Sequence, residues 1–106
     1  MTLLTDSVLE QLPEVTSAPQ PVYPDSLRQA RVEGSVVLAA VIDTAGRVER
    51  SSIRVVSSTH PLFTRAGAEA LAGMVFRPGR AQGRPVRVLI QLPITFTLQA
   101  PPPRPR

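Results

Sequence analysis

The sequence has no cysteine, no lysine and no tryptophan, and only one histidine and one tyrosine among its 106 residues. Without cysteine there are no disulfides, no thiolate nucleophile and no thiolate metal ligands. The single histidine, His60, excludes a multi-histidine metal site. No activated nucleophile or spaced pair of acids accompanies it, so neither catalysis nor a cofactor is expected. The aromatic set is Tyr23, Phe63, Phe76 and Phe96, too sparse for a platform that stacks bases. No run approaches the roughly 20 apolar residues that span a bilayer. The opening Met1-Thr-Leu-Leu-Thr-Asp6 lacks the basic and long apolar regions of a signal peptide. The length fits one small domain and excludes an enzyme built around an interdomain cleft.

Charge is present, but of a restricted kind. All twelve basic residues are arginine, against eight acids, for a net charge of +4. Residues 1–24 hold Asp6, Glu10 and Glu14 and no arginine, whereas residues 25–100 hold ten arginines and five acids. A basic balance invites nucleic acid or an anionic surface. An excess of five charges over that span, without stacking aromatics, does not support a nucleic-acid partner. Arg77, Arg80, Arg84 and Arg87 fall close together; a solvated rim accounts for them, with an anionic partner surface as the alternative.

Proline marks the ends. Four of the twelve prolines (Pro13, Pro19, Pro21, Pro24) precede residue 25, and four more lie in the last six residues. Proline fixes φ and removes a donor, so both ends are expected to be extended rather than packed. The division expected is an extended proline-containing linker over 1–22, a folded domain over 23–99 and a disordered proline-arginine tail over 100–106.

Within the domain, Pro24-Asp25-Ser26 starts a short helix to Arg31, capped by Asp25 or Ser26, with Leu27, Ala30 and Val32 inward. Ser35 to Asp43 contains Val36-Val-Leu-Ala-Ala-Val-Ile42, apolar on both faces, as a central strand is. Asp43-Thr-Ala-Gly46 reverses the chain into a second strand, Val48 to Ser57, with a bulge near Arg50-Ser-Ser52. Ser58 or Thr59 caps a helix from Pro61 to Ala72 that carries Phe63, Ala66, Ala70, Leu71 and Met74 at helical spacing and stops at Gly73. A turn-rich loop, 76–83, leads to a last strand from Val86 to Leu98. Pro93 within it calls for a sheet edge or a bulge. The order α-β-β-α-β predicts a small α+β domain, a three-stranded antiparallel sheet with two helices on one face.

These residues occur in a familiar sequence: Gln20-Pro-Val-Tyr-Pro24, Val32-Glu-Gly34, Asp43-Thr-Ala-Gly-Arg-Val48, Val55-Val-Ser-Ser58, Phe76-Arg-Pro-Gly79, Gly83 and Pro93-Ile-Thr-Phe96. In this order and spacing they resemble the TonB C-terminal domain family, over residues 20–98. That family is the periplasmic end of the proteins that deliver inner-membrane energy to outer-membrane transporters. The resemblance implies a non-enzymatic periplasmic domain whose last strand accepts the TonB box, an extended peptide of the transporter, as an added strand. The pairing edge implied is Arg87, Val88, Leu89, Ile90, Gln91 and Leu92. Gln20 is implied near the transporter, and Tyr23 belongs to the same Gln-Pro-x-Tyr-Pro motif. The resemblance also implies a membrane anchor for contact with the inner-membrane motor complex. That anchor is not in this sequence, so a longer, inner-membrane-anchored protein is the expectation.

Each of these residues also has a plainer role. Tyr23 can pack the entrance of the domain, Gln20 can be exposed linker, and His60 beside Pro61 reads as a first-turn helix residue. A different function class is also open: an exposed last strand could pair with a second copy as a strand-exchanged homodimer. A sensor-type module that keeps the fold but has another partner is the remaining alternative.

Overall fold

The computed structural model describes residues 9–98. Its elements, in chain order, are β1 (Glu14–Ser17), α1 (Asp25–Gln29), β2 (Gly34–Ile42), a 3-10 turn (Arg50–Ser52), β3 (Arg54–Ser58), α2 (Pro61–Ala72), β4 (Val75–Arg77), β5 (Gly79–Ala81), β6 (Arg84–Val86) and β7 (Val88–Phe96). The main sheet is antiparallel with strand order β3-β2-β7. The all-apolar β2 is central, as its sequence requires. β7 pairs with β2 without interruption from Gly34↔Phe96 to Ile42↔Val88.

Side chains alternate along a strand, so this register gathers Val36, Leu38, Ala40 and Ile42 of β2 with Val88, Ile90, Leu92 and Ile94 of β7 on one face. Both helices cover that face. Gly67 of α2 lies against Leu38, Val36 and Ile94, and Leu27 of α1 joins the same core as Phe63, Leu71 and Phe96. Phe63 and Phe96 stack with centroids 4.5 Å apart. The α+β class and the helices on one face stand as expected, and α2 runs from Pro61 to Ala72 with Gly73 at its end.

Several details differ for local reasons. The N-cap of α2 is His60, whose Nδ1 accepts from the Leu62 N–H, rather than Ser58 or Thr59. Ser58 instead bonds His60 and Thr64. α1 stops at Gln29, has no side-chain cap and buries only Leu27. Arg31 takes a left-handed φ of 58° there, and the Val32 N–H bonds the Leu27 carbonyl, a closure usually given to glycine. The expected bulge at 50–52 is the 3-10 turn. Residues 76–83, expected as loop, form β4 and β5, and β5 turns into β6 through Gln82 and Gly83, both at positive φ.

The largest departure is at the N-terminus. Residues 14–17, expected within an unpacked linker, form β1 on β4, with Val15 opposite Phe76. Upstream, Glu10 and Gln11 bond the Arg80 backbone. Backbone pairing over such a sequence separation satisfies donors and acceptors that the prolines leave free. Gln99, the expected tail 100–106 and residues 1–8 of the expected linker lie outside the described residues.

Candidate functional site

The candidate site is the outer edge of β7, defined by the hydrogen-bonding parity of the sheet. In an antiparallel strand the N–H and C=O of one residue point to the same side, and successive residues point to opposite sides. Val41 N–H donates to Ser52 Oγ and the Val41 carbonyl accepts from Glu49. The Ser35 carbonyl likewise accepts from the Thr59 N–H. Odd-numbered residues of β2 therefore face β3, and even-numbered ones face β7. Through the β2–β7 register, Val88, Ile90, Leu92, Ile94 and Phe96 bond β2, while Leu89, Gln91, Pro93 and Thr95 turn their backbone groups outward.

That outward edge pairs with no strand among the described residues. Pro93 is tolerated because its missing N–H falls on the open side, opposite Val37, where no ladder bond is lost. The other edge of the sheet, β3, is guarded differently. Its pairing shifts between Val37 and Leu38 of β2, leaving Val56 bulged, and Arg54 stands at its start; bulges and charges are the usual protections of an edge. The Leu89–Gln91 stretch of β7 carries neither.

A groove of about 580 Å³ lies along this strand, lined by Val88 to Leu92 together with Leu12, Pro13, Val15, Phe76 and Ala39 of the neighbouring β2. Five consecutive residues of one strand line it, so it includes the strand's edge and not merely one face. None of the lining residues is charged. Leu89 is 54% exposed although apolar.

Of the residues singled out from sequence, Val88, Leu89, Ile90, Gln91 and Leu92 come together here. Arg87 does not: it precedes β7, and its guanidinium makes a two-pronged bond to Glu49 at 2.6 and 2.8 Å. That bond holds the Glu49 carboxyl below the ordinary carboxylate range, against the opposing effect of desolvation, and raises the Arg87 pKa. Tyr23 is also elsewhere. Its ring stands edge-on to Phe63 and Phe96 at 5.6 and 5.7 Å, and its hydroxyl donates to the Val32 carbonyl. Desolvation, then the nearby Glu33, raises its pKa above 10.0. Gln20 lies with Pro19, Pro21 and Val22 in a shallow cleft against Ala66, Glu69 and Ala70 of α2.

The arginine group divides among internal tasks: Arg77 pairs with Glu14, Arg80 donates to the Gly83 carbonyl, and Arg87 holds Glu49. Sequence reasoning missed Leu12, Pro13, Val15 and Phe76 as a wall of the groove. The only local signal was two apolar residues, Leu12 and Val15, in an otherwise polar stretch.

The comparisons agree with this architecture. A family model described as the Gram-negative bacterial TonB protein C-terminal matches residues 19–98, the span that contains both helices and the main sheet. The fold is similar to the C-terminal domain of TonB from Pseudomonas aeruginosa, solved in solution by NMR, with a TM-score of 0.69 and 25% sequence identity over 96% of this chain and 98% of that one. No curated protein sequence matches significantly. The family is periplasmic and non-enzymatic, and it serves outer-membrane transporters. With its central β2, its two helices on one sheet face and its open last strand, the chain belongs to the TonB C-terminal family of energy transducers.

Proposed function

We propose that this domain grips an outer-membrane transporter by accepting its TonB box as a fourth strand on the outer edge of β7. The observation that carries this is the row of outward backbone groups at Leu89, Gln91, Pro93 and Thr95, of which Leu89 and Gln91 line a groove that no strand among the described residues fills. An extended peptide satisfies those groups without moving the core. Four to six new hydrogen bonds at about 0.5–1.5 kcal/mol each, set against an association cost of roughly 4 kcal/mol or more, leave at most about 5 kcal/mol, a Kd of about 0.2 mM or weaker from backbone pairing alone. Such a grip suits repeated capture and release. The partner's contacts are then with Val88 to Leu92; Tyr23 acts through the core, Arg87 through its pair with Glu49, and Gln20 stands on the α2 side. Energy would reach the domain through an inner-membrane anchor and motor complex upstream.

The test is the affinity of fluorescein-labelled TonB-box peptides from the source organism's transporters, measured by anisotropy. The same peptides N-methylated at alternate amides should bind at least tenfold more weakly in one methylation phase and normally in the other, as one-sided strand pairing requires. Equal affinity for both phases and the parent would exclude strand addition. The same edge suits a second copy of the chain, giving a homodimer. Light scattering over a concentration series separates the two occupants, since a β7-paired dimer must dissociate as peptide is added.

A further inference from the structure

We propose that the segment Glu10–Ser17, which precedes the residues matched by the family model, is the second wall of the peptide groove and selects which transporter segments bind. This rests on the strand-addition reading above and adds a specificity element to it. Leu12 and Val15 are 52% and 50% exposed and lie outside the core, so folding does not account for them. With Pro13 and Phe76 they line the same groove as Val88 to Leu92.

The segment is fastened from end to end. The Glu10 carboxylate accepts from the Gly83 N–H at 2.9 Å, and the Glu10 N–H donates to the Arg80 carbonyl at 2.8 Å. Gln11 and Arg80 exchange backbone bonds, and Glu14 pairs with Arg77 at 3.1 Å. Gly79 makes the close approach possible: a Cβ there would stand 2.6 Å from Val88 Cγ2, 3.3 Å from the Gln11 carbonyl and 3.4 Å from Pro13 Cδ. The apolar wall is thus set beside β7 by contacts that leave its own side chains free.

The chemistry of the lining fixes the occupant. A strand added to β7 presents alternate side chains to opposite faces, so every second one meets Leu12, Val15 and Phe76. No charged residue lines the groove, and an ionised side chain placed there would lose water without gaining a partner. The segment selected is therefore extended, with uncharged apolar side chains at every second position.

The experiment uses the full chain and the tightest-binding TonB-box peptide, together with its variant in which the central groove-facing apolar residue is glutamate. Val15→Glu should weaken the parent peptide about tenfold, as expected when burial of one apolar side chain is partly lost. Val15→Arg should bind the glutamate peptide more tightly than the wild-type chain does, a reversal of preference that a merely structural role would not produce. Unchanged affinities in both variants, with binding still lost on phased N-methylation, would refute the wall and leave strand addition standing. Insensitivity to N-methylation, or no binding by any peptide, would refute both.

Discussion

Placing proline along β7 should have opposite consequences at neighbouring positions. Leu89 turns its N–H away from β2, while Ile90 donates into the ladder opposite Ala40. Leu89→Pro therefore removes a donor from the open edge only. Its side chain is half exposed, and Pro93 already occupies a position of the same parity without disturbing the sheet, so the domain should fold with little loss of stability. Peptide binding loses one hydrogen bond, about 0.5–1.5 kcal/mol, or roughly a 2- to 13-fold rise in Kd. Leu89→Pro/Gln91→Pro loses two, and about 5- to 150-fold in affinity. Ile90→Pro breaks a ladder bond and leaves the Ala40 carbonyl buried without a donor, for about 1–3 kcal/mol of stability. Urea unfolding gives the stability of each variant, and anisotropy with a TonB-box peptide gives its affinity. The reasoning is refuted if Leu89→Pro unfolds the domain while Ile90→Pro does not, or if the folded double variant binds peptide as the wild type does.

Gly46 and Gly83 have similar φ values, 83° and 74°, but different surroundings. Gly83→Ala meets no atom within 4 Å and should cost about 1–2 kcal/mol from conformation alone; Gly46→Ala would place a Cβ 1.9 Å from the Phe76 carbonyl and should be much worse by urea unfolding. The Glu49–Arg87 pair lowers the Glu49 pKa in the folded state, so its stabilisation is present above the unfolded carboxylate pKa and is lost as pH falls through the lowered value. Glu49→Gln should therefore reduce stability at neutral pH and flatten the acid limb of a Tm-against-pH curve; an unchanged acid limb would dismiss the pair as a source of it. Tyr23→Phe should lower Tm and leave peptide affinity unaltered, because the hydroxyl serves the Val32 carbonyl. In the wild type, ultraviolet titration should find tyrosinate forming above pH 10.0, the direction set by desolvation.

The elements with strong local signals were legible in the sequence. The continuous apolar run fixed β2 at the centre, Pro61 and Gly73 bracketed α2, and Gly46 marked a turn that needs positive φ. Pro93 pointed to an edge, and the edge is where β7 lies. Structure held by distant partners was not legible. β1 meets β4 about 60 residues later through a few backbone bonds, and the prolines flanking it, Pro13 and Pro19, read as linker. Thr59 looked like a helix cap, yet its hydroxyl bonds the Ser35 backbone across the sheet, leaving the cap to His60. Gln82, like Arg31, adopts positive φ without being glycine, so the β5–β6 turn showed only Gly83. Val88 to Leu92, singled out from the sequence as a pairing edge, line one groove, but which of them face outward depends on the register with β2, and that register is a tertiary fact. Arg87 could not be separated from the edge without seeing Glu49 beside it.

The most direct test is amide hydrogen exchange by NMR on the labelled domain, with and without a TonB-box peptide. Val88, Ile90, Leu92, Ile94 and Phe96 should be protected in the free domain, while Leu89, Gln91 and Thr95 exchange quickly. Saturating peptide should protect Leu89 and Gln91 in particular, the donors of the edge beside the groove. Protection that appears at β3 or α2 instead, with Leu89 and Gln91 still exchanging freely in the bound state, would contradict strand addition to β7.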